Sequence, residues 1–258
     1  MKNNISKLSI FSAILASLLL CACAYEPPSA ITDSEMSEGR TDATLPACDD
    51  LGKEYIDSFI FIGESTTYHL KSRGVLSGGT DTKQVWAPKS GTVNLDTTIS
   101  SLKIVYPETG ELLSVGEAAK LKKPKRIILT FGLNGAITKV RMGEEYFKSC
   151  YLTLINAIRE ASPETEIFIQ SCFPVSRNMD MKAYGIEVKD LNAHINTING
   201  WAHSLACEQG LSYLNTREAL CDSEGYLKDA YQAGDGYHLT ADAYNEVIKY
   251  IRTHGNKK

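Results

Sequence analysis

Three short stretches of the chain carry side chains suited to nucleophilic chemistry. Gly63-Glu64-Ser65 sets a hydroxyl directly after the apolar run Phe59-Ile60-Phe61-Ile62. If a helix begins at Ser65, its unpaired N–H groups and dipole favour negative charge developing beside that hydroxyl. Near the other end, Asp235-Gly236-Tyr237-His238 places a carboxylate three residues before a histidine. An imidazole that takes a proton from a hydroxyl needs its second nitrogen held by an acceptor, which fixes the tautomer and stabilises the cation that forms. Between them lies Gly132-Leu133-Asn134-Gly135, directly after a second apolar run, Arg126 to Phe131. An asparagine at a strand end can aim its amide N–H at the place where an oxyanion forms.

Each stretch also has an ordinary explanation. Ser65 can cap a helix. Asp235 and His238 can form an Asx-type turn with a surface histidine, and Asn134 can be a turn residue followed by Gly135. No glycine stands two residues after Ser65, so the G-x-S-x-G elbow is absent. His69, His194, His203 and His254 fall in helical stretches or the tail and lack an aspartate in the Asp235–His238 arrangement.

The elements that must position these residues are legible. Phe59–Ile62, Arg126–Phe131, Glu166–Gln170 and Leu211–Leu214 are short apolar runs of the kind that make buried strands, and a weaker strand is expected within Gln84–Leu95. Glu144–Ala161 and Val188–Glu208 carry apolar residues at helical spacing, stopped by Ser162-Pro163 and Gly210. A last helix is expected after Thr240, a good N-cap. Strands apolar on both faces that alternate with helices predict an α/β fold: a three-layer α/β/α sandwich around a mostly parallel sheet, with reactive loops at the carboxyl ends of its strands.

Taken in order, G-E-S, G-x-N and D-x-x-H resemble the first, third and fifth blocks of the SGNH (GDSL-like) serine hydrolases. The resemblance spans Phe59 to Thr240. It implies a flavodoxin-like α/β/α fold and acyl transfer through a covalent intermediate, with no cofactor or metal. It makes Ser65 the nucleophile, His238 the general base, and Asp235 the group that orients His238. The backbone N–H of Ser65 and the side chain of Asn134 would form the oxyanion hole. The family's second block adds a glycine N–H; Gly91 is the best match, with Gly78 and Gly79 as alternatives. Glu64 departs from the usual aspartate at its place, so the turn is expected to pack differently. An ester substrate follows, with O-acetyl or other short-chain O-acyl groups on wall or extracellular glycans favoured by family analogy. An acyltransferase and a catalytically silent glycan-binding protein remain open beside it. Tyr68, Trp86 and Tyr237 lie beside the blocks, where they could stack on a sugar or simply pack.

Composition narrows the class. Among 258 residues, 43% are hydrophobic and 22% charged, ordinary values for a protein with a core. Lys2 and Lys7 precede a run from Leu8 to Leu20 that is apolar or small and shorter than the roughly 20 residues a spanning helix needs. Residues 1–22 therefore look like an export signal. Leu20-Cys21-Ala22-Cys23 resembles the lipobox of bacterial lipoproteins, which implies lipid attachment at Cys23 and a domain held at the outer side of the membrane. An ordinary signal with incidental cysteines is the alternative. Residues 23–50, rich in acidic and hydroxyl side chains, read as a flexible tether, and 51–258 as one domain.

Without Lys2 and Lys7 the balance is 25 basic against 31 acidic residues, a net charge of −6, which disfavours nucleic acid as a partner. Five cysteines follow Cys23. An odd number cannot pair completely; Cys207 and Cys221 could bridge, or all could be free thiols. No C-x-x-C or H-E-x-x-H spacing supports a zinc site.

Overall fold

Five apolar segments line up as one parallel sheet in the order β2 (Val85–Trp86), β1 (Phe59–Gly63), β5 (Arg126–Thr130), β6 (Glu166–Gln170), β7 (Ser212–Leu214). The structure, a computed structural model, describes residues 42–255. The strand expected within Gln84–Leu95 is only two residues long, because the turn at Pro88–Gly91 follows at once. Beside the sheet lies an antiparallel pair, β3 (Lys103–Val105) and β4 (Leu112–Ser114).

Successive residues of one strand enter different cores, as the twofold side-chain period requires. Ile60, Ile62, Ile127, Leu129, Ile167 and Ile169 face one side. They pack there with α5 (Glu144–Ala161) and α6 (Val188–Glu208). Phe59, Phe61, Ile128, Phe168 and Leu214 face the other side, among α1 (Gly52–Asp57), α7 (Arg217–Leu220) and α8 (Ala241–Thr253). The expected three-layer α/β/α architecture is what forms. On the first side α3 (Val115–Lys122) starts at a capping box, in which Ser114 accepts from the Glu117 N–H while the Glu117 carboxylate accepts from the Ser114 N–H. The remaining helices, α2 (Ser65–Ser72) and α4 (Ala136–Met142), both begin at the carboxyl ends of strands.

The tether expected over residues 23–50 ends earlier than the sequence suggests. Thr44 bridges Tyr213 in parallel, the Leu45 N–H donates to the Tyr213 carbonyl, and the Tyr213 N–H donates to Ala43. Ala43 and Leu45 are buried, each in a different core. The segment thus covers the open edge of β7, which would otherwise expose unpaired backbone groups. The rest of that tether, the export signal over residues 1–22 and Cys23 lie outside the described residues. Leu45→Ala is expected to cost about 2–4 kcal/mol, as for a buried leucine elsewhere. Urea unfolding checks it; a cost near zero would restore the tether reading.

Cys48, Cys150, Cys172, Cys207 and Cys221 are all free, so the bridge considered between Cys207 and Cys221 does not form. Cys207 lies in the last turn of α6 against the first core, whereas Cys221 follows α7, whose Leu220 packs in the second.

Candidate active site

β1 delivers its chemistry through a constraint on one residue. A Cβ on Gly63 would lie 2.2 Å from Thr67 Oγ1 and 2.4 Å from the Thr130 carbonyl, so only glycine lets β1 pass so close to α2 and β5. The chain then turns at Glu64, the N-cap of α2, and Ser65 becomes the first helical residue. Its N–H lies in the first turn, where no preceding helical carbonyl exists to accept it.

His238 arrives on a loop closed at its base. Gln232 bridges Leu239, the Ala233 N–H donates to the His238 carbonyl at 2.8 Å, and the Thr240 N–H donates to Tyr231. Leu239 is fully buried, and Thr240 caps α8 by accepting from the Ala243 N–H. Gly236 sits at φ +87°, where a Cβ would come within 2.7 Å of Met179 Cβ; this tight turn folds Asp235 back toward His238. The Tyr244 hydroxyl of α8 donates to the Thr66 carbonyl at 2.5 Å, fixing this loop's helix to the start of α2.

The result brings together residues separated by most of the chain. His238 Nε2 lies 2.9 Å from Ser65 Oγ, and His238 Nδ1 lies 2.6 Å from Asp235 Oδ2. Asp235 Oδ1 accepts from the N–H groups of Tyr237 and His238 at 3.1 and 2.9 Å. Burial works against ionising Asp235, but the His238 N–H and ring, the Tyr237 N–H and the imidazolium charge outweigh it. They hold the carboxyl below its ordinary value. An ionised carboxylate only accepts, so Nδ1 carries the ring proton and Nε2 is free to accept from Ser65. The arrangement can draw a proton from the Ser65 hydroxyl and return it elsewhere.

Asn134 follows β5, and its side chain points at the segment after β2: Nδ2 donates to Thr92 Oγ1 at 3.0 Å and approaches the Val93 carbonyl at 3.4 Å. One of these contacts must be released for the amide to face a substrate oxygen. Gly91 departs from its expected part. Its N–H donates to the Pro88 carbonyl at 2.9 Å, closing a turn at φ +72°, and a Cβ there would come within 3.0 Å of the Tyr68 ring. The alternative at Gly79 is likewise used, on the Leu76 carbonyl. Of the three aromatics beside the blocks, Trp86 simply packs: it is 1% exposed and lies on Tyr106 in the core, out of reach of a substrate. Tyr68 is half-buried against the second core, and Tyr237 remains at the site.

The sequence does not announce the use made of Glu64. Its side chain is 1% exposed and turns away from its own helix toward the loop after β5. There Oε1 accepts from the Gly132 N–H at 3.0 Å and Oε2 from the Asn134 N–H at 2.9 Å. Buried Lys139 donates to the Asn134 carbonyl from the other side. Burial pushes the Glu64 carboxyl up to about 7, against the pull of the Lys139 charge and of the N–H groups of Asn134, Gly132 and Leu133. A glutamate beside Ser65 was a visible signal, but Lys139, five residues beyond Asn134, had none.

Next to Asn134 opens a cavity of about 320 Å³, lined on its apolar side by Leu133, Ile137, Val175, Met179, Leu191 and Tyr237. Its size falls in the range of small-molecule sites, roughly 300–1,000 Å³.

The sequence profile of the family described as GDSL-like Lipase/Acylhydrolase matches residues 61–245. No curated protein matches the sequence. Among solved structures, a Streptococcus pneumoniae protein described as a candidate platelet activating factor is 20% identical at a TM-score of 0.53, over 76% of this chain and 82% of that one. A candidate lipolytic protein of the G-D-S-L family from Desulfitobacterium hafniense DCB-2 is 16% identical at a TM-score of 0.51, over 75% of this chain and 97% of that one. At such identities the likeness is one of fold.

Proposed function

This chain belongs to the GDSL-like lipase/acylhydrolase family, and from that premise we propose that it is a serine esterase that cleaves O-acyl esters through an acyl-enzyme on Ser65. The observation that carries the reading is the continuous hydrogen-bonded path from Ser65 Oγ through both nitrogens of His238 to Asp235. In the first step Ser65 Oγ attacks the ester carbonyl while His238 Nε2 takes its proton. Asp235 holds the imidazolium in place. The N–H of Ser65 and the amide of Asn134 receive the negative charge on the carbonyl oxygen. His238 then returns the proton to the departing alcohol. Water, activated by the same imidazole, releases the acid and restores Ser65.

The substrate side of the proposal rests on the cavity beside Asn134. Its apolar lining suits the hydrocarbon part of an ester and leaves room for more than an acetyl group. O-acyl groups of wall or extracellular glycans fit a protein tethered outside the cytoplasm through Cys23; the tether and its location are proposed from the sequence alone. Assay of the full-length chain on aryl acetate, butyrate and octanoate and on acetylated sugars tests the proposal. Turnover of the butyrate at least equal to the acetate is expected, and no turnover of any ester would end the esterase reading.

A further inference from the structure

The imidazole of His238 is held at its faces as well as at its edges. Asp235 and Ser65 occupy the two nitrogens. One face meets the Tyr237 ring, with centroids 4.1 Å apart and planes at 40°. A third ring, His69, also packs on the imidazole, with centroids 4.2 Å apart and planes at 33°. His69 stands four residues after Ser65 on α2, one helical turn further along the same face. Nothing in the proton path uses it. Its Nδ1 is buried and has no hydrogen-bond partner, so the ring is not there to make a polar contact through that atom.

We propose that His69 is a positioning residue, a ring whose face fixes the His238 imidazole between Asp235 and Ser65 and supports the positive charge that imidazole acquires; this rests on the esterase reading above. Two physical arguments carry it. First, an imidazole bonded only at its edges can still tilt about the line joining Asp235 and Ser65, and rings packed on it remove that freedom. A misaligned base is costly, because the proton must leave Ser65 Oγ along the line to Nε2. Second, a cation is attracted to the face of an aromatic ring, more strongly where water is excluded. The ring can play that part only while it is itself uncharged. Burial first, then the His238 charge and Arg73, push His69 down to about 4, with Asp235 opposing. From weak acid upward His69 is therefore neutral, and the charge that appears during turnover belongs to His238 alone.

The experiment compares the wild-type chain with His69→Phe and His69→Leu at full length. It reads kcat and KM for an aryl ester across pH, together with the NMR titration of the His238 ring. His69→Phe, which keeps a ring face, is expected to hold kcat within about threefold and to leave the titration midpoint in place. His69→Leu is expected to lower kcat about tenfold at unchanged KM and to move the midpoint to lower pH, because the cation loses its support. A purely packing role would leave that midpoint where it was. The proposal is overturned if His69→Leu folds normally with wild-type kcat and midpoint, or if His69→Phe is as impaired as His69→Leu. The NMR arm needs no turnover. Were the wild type to hydrolyse no ester, the esterase reading would fail while an unmoved or shifted His238 midpoint still decided the part played by His69.

Discussion

Ser65→Ala is expected to lower kcat on an aryl ester by about 10⁴- to 10⁶-fold while leaving the melting temperature within a few degrees of wild type. The size of the loss follows from what is removed. In the proposed mechanism the hydroxyl alone joins covalently to the substrate, and the remaining donors can lower the barrier for water attack only partly. The small cost in stability follows from the same geometry. Among the described residues Ser65 Oγ has one polar partner, His238 Nε2, at a half-exposed position where water can replace it. Helix α2 keeps its start, because the N-cap is Glu64 and its carbonyl, accepting from Thr67 and Tyr68, is untouched. His238→Ala should fall to the same floor, since the two residues act as one unit. A fluorophosphonate probe should label the wild type and leave Ser65→Ala unlabelled. Turnover within tenfold of wild type, or labelling that survives the substitution, would move the nucleophile elsewhere.

What could be read from the sequence divides along physical lines. The bounds of Glu144–Ala161 and Val188–Glu208 were legible because long helices repeat an apolar stripe many times and stop at Ser162-Pro163 and Gly210. The strands leading to Gly63 and Gly132 were legible as runs apolar on both faces, and those runs placed Ser65 and Asn134 at one end of the sheet. The β3–β4 pair was not, since three residues per strand carry too little pattern to separate from a loop. Nor was the ordering of residues 42–50: Ala43 and Leu45 are two apolar residues in a polar stretch, and their burial depends on the free edge of β7, a tertiary fact. Gly91 failed for a related reason. A glycine in a loop shows that the backbone turns there, not which carbonyl its N–H will meet. His69 has no neighbouring aspartate to mark it in the sequence, although its spacing from Ser65 puts both on one helix face.

Glu64 is where these threads meet, and removing its carboxylate is expected to damage folding and turnover together. Glu64→Ala would leave the buried N–H of Gly132 and the part-buried N–H of Asn134 without an acceptor, and a void beside them. Unpaired buried donors at about 1–3 kcal/mol each, plus the void, suggest a loss of about 3–5 kcal/mol. Glu64→Gln separates the two effects. It keeps the volume but turns an amide donor toward one of the N–H groups, so the Asn134 loop should shift and kcat fall by about 10²-fold, the scale of a misplaced oxyanion donor. Glu64→Asp keeps the charge but is one methylene too short to reach both N–H groups, and should fall between wild type and Glu64→Gln. The pH dependence carries the sign. Burial raises the carboxyl to about 7 in the folded chain, above its ordinary 4.5. Between those values the native state holds a proton that the unfolded state has released. This contribution to stability is therefore full below about 4.5, is lost as pH rises to about 7, and is flat beyond. Over that window the difference in unfolding free energy between wild type and Glu64→Gln should change by about 3 kcal/mol, to the disadvantage of wild type at higher pH. Turnover should run the other way, because only the ionised carboxylate accepts from both N–H groups and holds Asn134 in place. Urea titrations and kcat measured from pH 5 to 8 on the same preparations decide it. A difference that stays constant with pH would mean that Glu64 is ionised throughout, and that Lys139 and the loop N–H groups outweigh the burial of its charge.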